Sequence, residues 1–285
     1  MRDLAFIACV LCVLGGHLAA EDSPAGLPRQ VFSLDGQWHF ATDAKNEGEA
    51  QKWYAPGARL PAMPLPGYAP TADGRINVPG IWDVQGYGPE TDKLRHNFVG
   101  KGWYKREVDL PRLPAGRRAF LRITGVHRYA KVWLDEHYLG EHIGYLSPFE
   151  YDISEHAGAG GKAAITIQVD SNQRWDVDGL YGAGDLADYF EAQWGGIWGH
   201  VSLEARPDTW LEDLFIQPAT SPPGCKASAM VRGKDRRATA LRLQVRDLKG
   251  NVVAEETRPL SEPLKAGSAV EAGAAIPQAG LWTPD

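Results

Sequence analysis

Apolar and polar residues alternate with a period of two along most of this chain, and helical periodicity is nearly absent. The clearest run is Ala164 to Asp170, where Ile165, Ile167 and Val169 fall on one side and Thr166, Gln168 and Asp170 on the other. Side chains of a strand point alternately to opposite faces of a sheet, so the pattern predicts a half-buried β-strand. The same alternation predicts strands over Trp103 to Leu110, Ala130 to Asp135, His200 to Ala205 and Leu241 to Asp247. Turn formers separate them at Pro79-Gly80, Pro111 to Gly116, Gly158 to Gly161 and Pro222-Pro223-Gly224. Only Ala44 to Tyr54 has a helical look, and Gly48 interrupts it. The expected fold class is all-β. Between Val31 and Ala205 the strands suit a jelly-roll β-sandwich of eight or more strands. After Arg206-Pro207 the alternation restarts near Trp210, Ala227, Ala238, Val252 and Ala269, which predicts a second, smaller immunoglobulin-like sandwich.

The first twenty residues differ from the rest. Arg2 gives a positive start, Leu4 to Gly15 form an apolar run, and Leu18-Ala19-Ala20 closes it with small residues, the pattern of a secretory signal peptide. The run is shorter than the roughly 20 residues a membrane-spanning helix needs. The expected organisation is therefore a signal over 1–20, a polar lead over 21–30, a jelly roll over 31–206 and the second sandwich over 207–285, in a secreted or periplasmic protein with no membrane partner. Removing the signal leaves Cys225 as the sole cysteine, so no intramolecular disulfide is expected. With 30 basic against 36 acidic residues, and a net charge of -6, the chain lacks the broad cationic surface that nucleic acid or anionic lipid would need.

Candidate chemistry is sparse. Among the eight histidines, His137 and His142 come nearest to a ligand cluster, beside Glu136 and Glu141. Their spacing of five falls on an inferred hairpin rather than on one helical face, and no His-Glu-x-x-His motif occurs, so neither a metal nor a cofactor is expected. Phosphate loops, serine nucleophile elbows and Cys-x-x-Cys pairs are missing from the chain after residue 20. Ten tryptophans invite a carbohydrate reading, because an indole face can cover the apolar face of a pyranose while its N–H bonds outward. Trp38, Trp103 and Trp133 lie in alternating strands and read as core. Trp175 and Trp194 flank a Gly- and Asp-rich stretch, Asp176 to Asp188, that reads as a long loop, and long loops on rigid sandwiches carry binding residues.

A set of motifs in a fixed order narrows the reading. Leu34-Asp35-Gly36-Gln37-Trp38, then Val78-Pro79-Gly80-Ile81-Trp82 with Gly86-Tyr87-Gly88, and Gly102-Trp103-Tyr104-Lys105-Arg106 resemble successive segments of the family 2 glycoside hydrolases, the β-galactosidase and β-glucuronidase group. Val132-Trp133-Leu134, Pro148-Phe149-Glu150-Tyr151-Asp152-Ile153 and Gly196-Ile197-Trp198 continue the series. Leu281-Trp282-Thr283-Pro284-Asp285 is similar to a segment inside the family's second domain. The resemblance implies a jelly-roll sugar-binding domain, an immunoglobulin-like domain truncated before its last strands, and a catalytic (β/α)₈ barrel that lies outside this chain. A retaining glycosidase needs two carboxyl groups about 5 to 5.5 Å apart, and in this family the barrel carries them, so no catalytic residue is expected here.

The resemblance also nominates site residues. Asn97 precedes the Gly-Trp-Tyr strand as the family's substrate-contacting Asn does, with a longer spacing through Phe98 to Lys101. The segment Asp188 to Gln193 is similar to the one leading to the family's sugar-contacting Asp, but Gln193 runs straight into Trp194, so Glu191 and Gln193 become the nearest candidates. Asp135-Glu136 stands where the family has an Asn-Gly hairpin, which points to a different turn. Asn97, Trp175, Glu191, Gln193 and Trp194 are thus the expected carbohydrate-facing residues, with a β-glycoside as ligand and the barrel as partner. Two other functions compete: a stand-alone secreted lectin-like sandwich and a purely structural sandwich pair. An unpaired edge in the second sandwich is expected if the strands end as the resemblance implies, and that favours the glycosidase reading over both.

Overall fold

The computed structural model describes residues 8–15, 29–61, 74–89, 96–144, 147–157, 160–172, 194–234, 238–247, 249–260 and 262–277. The chain divides into two compact units, one of residues 29–205 and one combining residues 206–285 with residues 1–28. Strand β1 (Ala8–Gly15) belongs to the second unit. The first holds β2 (Gln30–Ser33), β3 (Gly36–Asp43), β4 (Arg75–Val78), β5 (Gly80–Ile81), β6 (Lys101–Leu110), β7 (Arg117–Ile123), β8 (Tyr129–Leu134), β9 (His137–Ile143) and β10 (Phe149–Asp152). A single turn of helix, α1 (Ser154–Ala157), precedes β11 (Gly161–Asp170), β12 (Gly196–Ile197) and β13 (Val201–Pro207).

These strands make a β-sandwich. One sheet has the order β4-β3-β6-β11-β8-β9 and is antiparallel throughout; the facing sheet runs β10-β7-β13-β2. Between them lie Trp38, Phe40, Tyr104, Val132, Ile165 and Ile167 from the first sheet and Leu121, Ile123, Val201 and Leu203 from the second, all nearly or fully buried. The alternation in β11 predicts a polar outer face, yet Thr166 and Gln168 are buried as well. A second layer explains this. Ala41, Trp53, Trp103 and Trp133, with Tyr54 and Leu60 against them, cover the outer face of the six-stranded sheet.

The segment after β3 supplies that layer. It forms successive turns rather than a helix: Gln51 N–H reaches Glu47 O at 2.9 Å, but Trp53 N–H skips to Gly48 O at 2.9 Å. Asp43 anchors its start, accepting from the amides of Glu47 (2.8 Å) and Gly48 (3.0 Å) and from the indole N–H of Trp103 (3.1 Å). Glycine at 48 follows from this packing, since a Cβ there would stand 2.5 Å from Trp103 Nε1. The buried ammonium of Lys105 closes the other end by donating to the carbonyls of Trp53 (3.0 Å), Ala55 (2.7 Å) and Ala58 (2.8 Å).

In the second unit, β14 (Thr209–Thr220), β15 (Pro223–Gly233) and β18 (Ala269–Ala275) form one sheet, and β16 (Ala238–Arg246) and β17 (Val252–Pro259) form another with β1. Leu241, Leu243 and Val245 face Ala227, Ala229, Val231, Val270 and Ala272 in a small core, on the register that their alternation predicts. The two sheets end on β1, β17, β14 and β18, and both sides of β16 are paired. β1 runs antiparallel along it from Ala8 opposite Arg246 to Leu14 opposite Ala240. A short apolar run rich in Val and Leu is as competent to add a strand as to serve as a leader.

Candidate functional site

The loop end of the larger sandwich is organised by two consecutive residues, Trp82 and Asp83. Both follow β5, which pairs with β12 so that Ile81 lies opposite Gly196. Trp82 is fully buried and Asp83 nearly so. The backbone N–H of Trp82 donates to Gly195 O (2.9 Å), and Gly195 N–H returns a bond to Asp83 Oδ2 (3.0 Å). On the other side the indole N–H of Trp82 donates to Phe98 O (2.9 Å), while Phe98 N–H donates to Asp83 Oδ1 (2.7 Å). One dipeptide therefore grips two distant segments, each by two hydrogen bonds, and uses both carboxylate oxygens to do so. Residue 195 has to be glycine: a Cβ would stand 1.9 Å from Trp82 Cζ2. Residue 88 is constrained twice over, by φ of +116° and by an approach of 2.4 Å to the Asn97 carbonyl carbon.

Two predicted site residues adjoin this clamp. Asn97, half-buried, precedes Phe98 and donates its N–H to Pro89 O (3.0 Å). Trp194, also half-buried, precedes Gly195 and stacks on His127, with ring centroids 3.9 Å apart and planes 19° off parallel. Asp83 thus draws the backbones at 97–98 and 194–195 into one cluster. Beside it, buried His96 sets Nδ1 2.9 Å from Gly88 O. The other three, Trp175, Glu191 and Gln193, lie outside the described residues.

Asp83 is the residue that sequence reasoning missed. It directly follows the Val78 to Trp82 motif, but its partners are the amides of residues 98 and 195, remote in the chain, and no local pattern marks it. Burial pushes its pKa from 3.8 up to about 7, against the pull of the Phe98 and Gly195 amides and of His96. With both oxygens engaged by backbone amides, its role is to position the segments that carry Asn97 and Trp194, not to meet a ligand.

The histidines considered for metal binding go separate ways. His137 packs edge-on against His156 (4.3 Å) and His142 stacks on Phe149 (4.0 Å). No group of three or more metal-ligating side chains occurs among the described residues. The β8–β9 turn departs from the Asn-Gly type as expected, since Asp135 has a positive φ of 51° and Glu136 does not. Asp135 Oδ1 instead accepts from Ala164 N–H on β11 (2.8 Å).

The larger unit is a β-sandwich whose loop rim is braced by a buried Trp-Asp pair, with an aromatic and an amide side chain beside it. The comparisons make this specific: residues 31–207 match the model of the glycosyl hydrolases family 2 sugar-binding domain, and the chain belongs to that family. It is similar to the β-glucuronidase of Felis catus, at 27% identity over 97% of this chain and 42% of that protein. Among solved structures it resembles a Faecalibacterium prausnitzii β-glucuronidase (27% identity, TM-score 0.58, 94% of this chain and 43% of that one). It also shares the fold of a Bifidobacterium dentium β-glucuronidase complexed with coumarin-3-O-glucuronide (22% identity, TM-score 0.59, 95% and 45%). The chain thus spans less than half the length of the relatives it matches.

Proposed function

We propose that this chain is the non-catalytic, sugar-facing part of a β-glycosidase, with its loop rim forming one wall of a pocket whose chemistry resides in a separate barrel. A β-glucuronide is the favoured substrate class, because the similar proteins from Felis catus and Faecalibacterium prausnitzii, matched over 97% and 94% of this chain, are β-glucuronidases. The observation that carries the reading is the Trp82-Asp83 clamp. It spends a buried carboxylate on fixing the positions of residues 97 and 194, a cost that makes sense where those positions face a ligand. Residues 1–20 act as an export signal in this reading, and the protein works outside the cytoplasm.

A chimera tests it. Residues 31–285 are placed in the Faecalibacterium prausnitzii enzyme in exchange for its equivalent region, and hydrolysis of 4-nitrophenyl β-glucuronide is measured. The chimera turns over, the isolated chain does not, and Asn97→Ala or Trp194→Ala lowers the chimera's kcat/KM by roughly tenfold or more, mainly through KM. Turnover by the isolated chain, or rim variants with full chimera activity, would overturn the proposal.

A further inference from the structure

Away from the loop rim, the outer face of the six-stranded sheet carries an open groove. Strand register places its side chains in rows. Tyr138 of β9 pairs with Trp133 of β8, and Glu141 with Lys131, which in turn lies opposite Gln168 of β11. Trp133 is the centre of an aromatic stack. Tyr54 lies parallel to it at 5.1 Å, Trp103 at 5.4 Å, and Tyr138 leans over it at 5.5 Å. Tyr138 leaves half of its surface, 52%, to solvent. Glu49 crosses onto this face from the covering segment and is held by Lys131 Nζ (2.9 and 3.0 Å) and Gln168 Nε2 (3.2 Å). These bonds outweigh the effect of burial and keep the Glu49 carboxyl below its usual pKa, so it is ionised. The cavity between Tyr54, Tyr138, Lys131 and Glu141 has a volume of about 560 Å³. A second of about 230 Å³ shares Lys131 and Glu141 with it and extends to Asp170 and Lys101.

We propose that this groove binds an uncharged pyranose oligosaccharide, with Tyr138 as the stacking plate and Glu49, Glu141 and Gln168 as partners for its hydroxyls. Three features select this ligand. First, the volume is that of a ligand pocket, in the range of about 300 to 1,000 Å³, and the groove is open along one side, as a chain rather than a single small molecule requires. Second, an exposed aromatic ring beside fixed carboxylate and amide groups matches the two surfaces of a pyranose, its apolar C–H face and its rim of hydroxyls. Third, the lining is acidic. Glu49, Glu141 and Asp170 outnumber Lys131 and Lys101, and among the described residues no hydrogen bond or ion pair engages the Glu141 carboxylate, whose backbone pairs with Lys131. A free carboxylate accepts hydroxyl hydrogens readily and repels a uronate. The groove therefore takes a neutral sugar chain, in contrast to the glucuronide proposed for the rim, and shares no residue with it.

Titration calorimetry of the whole chain against cellohexaose, xylohexaose, mannohexaose and laminarihexaose, with a hyaluronan hexasaccharide as the uronate-bearing arm, tests the proposal. At least one neutral hexaose binds with a dissociation constant of about 1 mM or tighter. Tyr138→Ala weakens it by about tenfold and Tyr138→Phe, which keeps the plate, retains it. Glu141→Gln weakens the neutral sugar and relieves the discrimination against hyaluronan. Near-ultraviolet circular dichroism matching wild type confirms that each variant is folded. Absence of binding by all four neutral sugars, preference for hyaluronan, or loss through Asn97→Ala with Tyr138→Ala binding normally would each overturn the proposal.

Discussion

Replacing Asp83 by Asn tests whether the rim is held by a buried carboxyl that titrates near neutrality. In the folded chain this group holds its proton more tightly than in the unfolded one, with a pKa of about 7 against 3.8, because burial disfavours its charge. Between those two values the folded state binds the additional proton. Asp83 therefore contributes a stabilisation that is full below pH 4 and is lost as pH rises through 7. Each unit of difference corresponds to about 1.36 kcal/mol, so from pH 5 to pH 8, where the slope flattens, the wild-type chain should lose about 2.5 kcal/mol through this group. Asp83→Asn has no proton to exchange and lacks this term. It pays a different penalty, since one of its two terminal atoms becomes an NH₂ facing the amide of Phe98 or Gly195, and a lost buried bond of that kind costs about 1 to 3 kcal/mol at every pH. Urea unfolding of both proteins at pH 5, 6, 7 and 8, followed by tryptophan fluorescence, gives the comparison. Other titrating groups cancel in the difference. At pH 5 the wild type should be the more stable, and its advantage should shrink steadily towards pH 8. A difference that is constant across the range, or that grows with pH, would refute the assignment of a raised pKa and with it the account of the clamp.

Other expectations follow from single contacts. Lys105→Met leaves three carbonyls without their ammonium donor; water reaches some of them, so a loss of about 2 to 3 kcal/mol is expected, and limited proteolysis should cut first between residues 47 and 60. Gly195→Ala forces a methyl group into the ring of Trp82 and should cost about 3 kcal/mol by urea titration, while Gly57→Ala, with open space around its Cβ but a φ of +72°, should cost about 1 kcal/mol. In a chain that starts at residue 21, hydrogen exchange should speed up at those β16 amides that pair with β1, and remain slow at Ile165 and Ile167 in the larger sandwich. Uniform protection of β16 in that shortened chain would show that β1 contributes nothing to its edge.

The sheet was legible in the sequence because alternation and register are the same information. Ile165, Ile167 and Val169, like Leu241, Leu243 and Val245, are buried where their period of two puts them. What was not legible came from contacts between segments far apart in the chain. Thr166 and Gln168 read as solvent-facing and are buried, because Trp53 and Tyr54, more than a hundred residues earlier, cover that face. Ala44 to Tyr54 read as a possible helix interrupted by Gly48; the glycine is there for Trp103, not for the backbone. Of the residues beside the clamp, Asn97 was nominated through family likeness and Trp194 through its place beside a polar loop. Asp83 was not found, since nothing local reveals that one carboxylate will take amides from positions 98 and 195. A buried acid is defined by its partners, and these partners are remote.

The two candidate binding places depend on the fold in different ways. The rim is built from loops, and its geometry rests on a few hydrogen bonds to Trp82 and Asp83; a change there can shift residues 97 and 194 without disturbing the sheet. The groove is built from the sheet itself. Val132 and Leu134 point into the core while Lys131 and Trp133 point out, so the alternation that fills one face furnishes the other. A slip of one residue in β8 would exchange the two sets and bury a lysine. The pairing of Lys131 with Glu141 and Gln168 is therefore under the same constraint as the core, and the aromatic stack around Trp133 inherits its rigidity from there. Such a surface is preorganised for an extended ligand without any loop having to close, and this is the property that weak, repeated contacts to a sugar chain require.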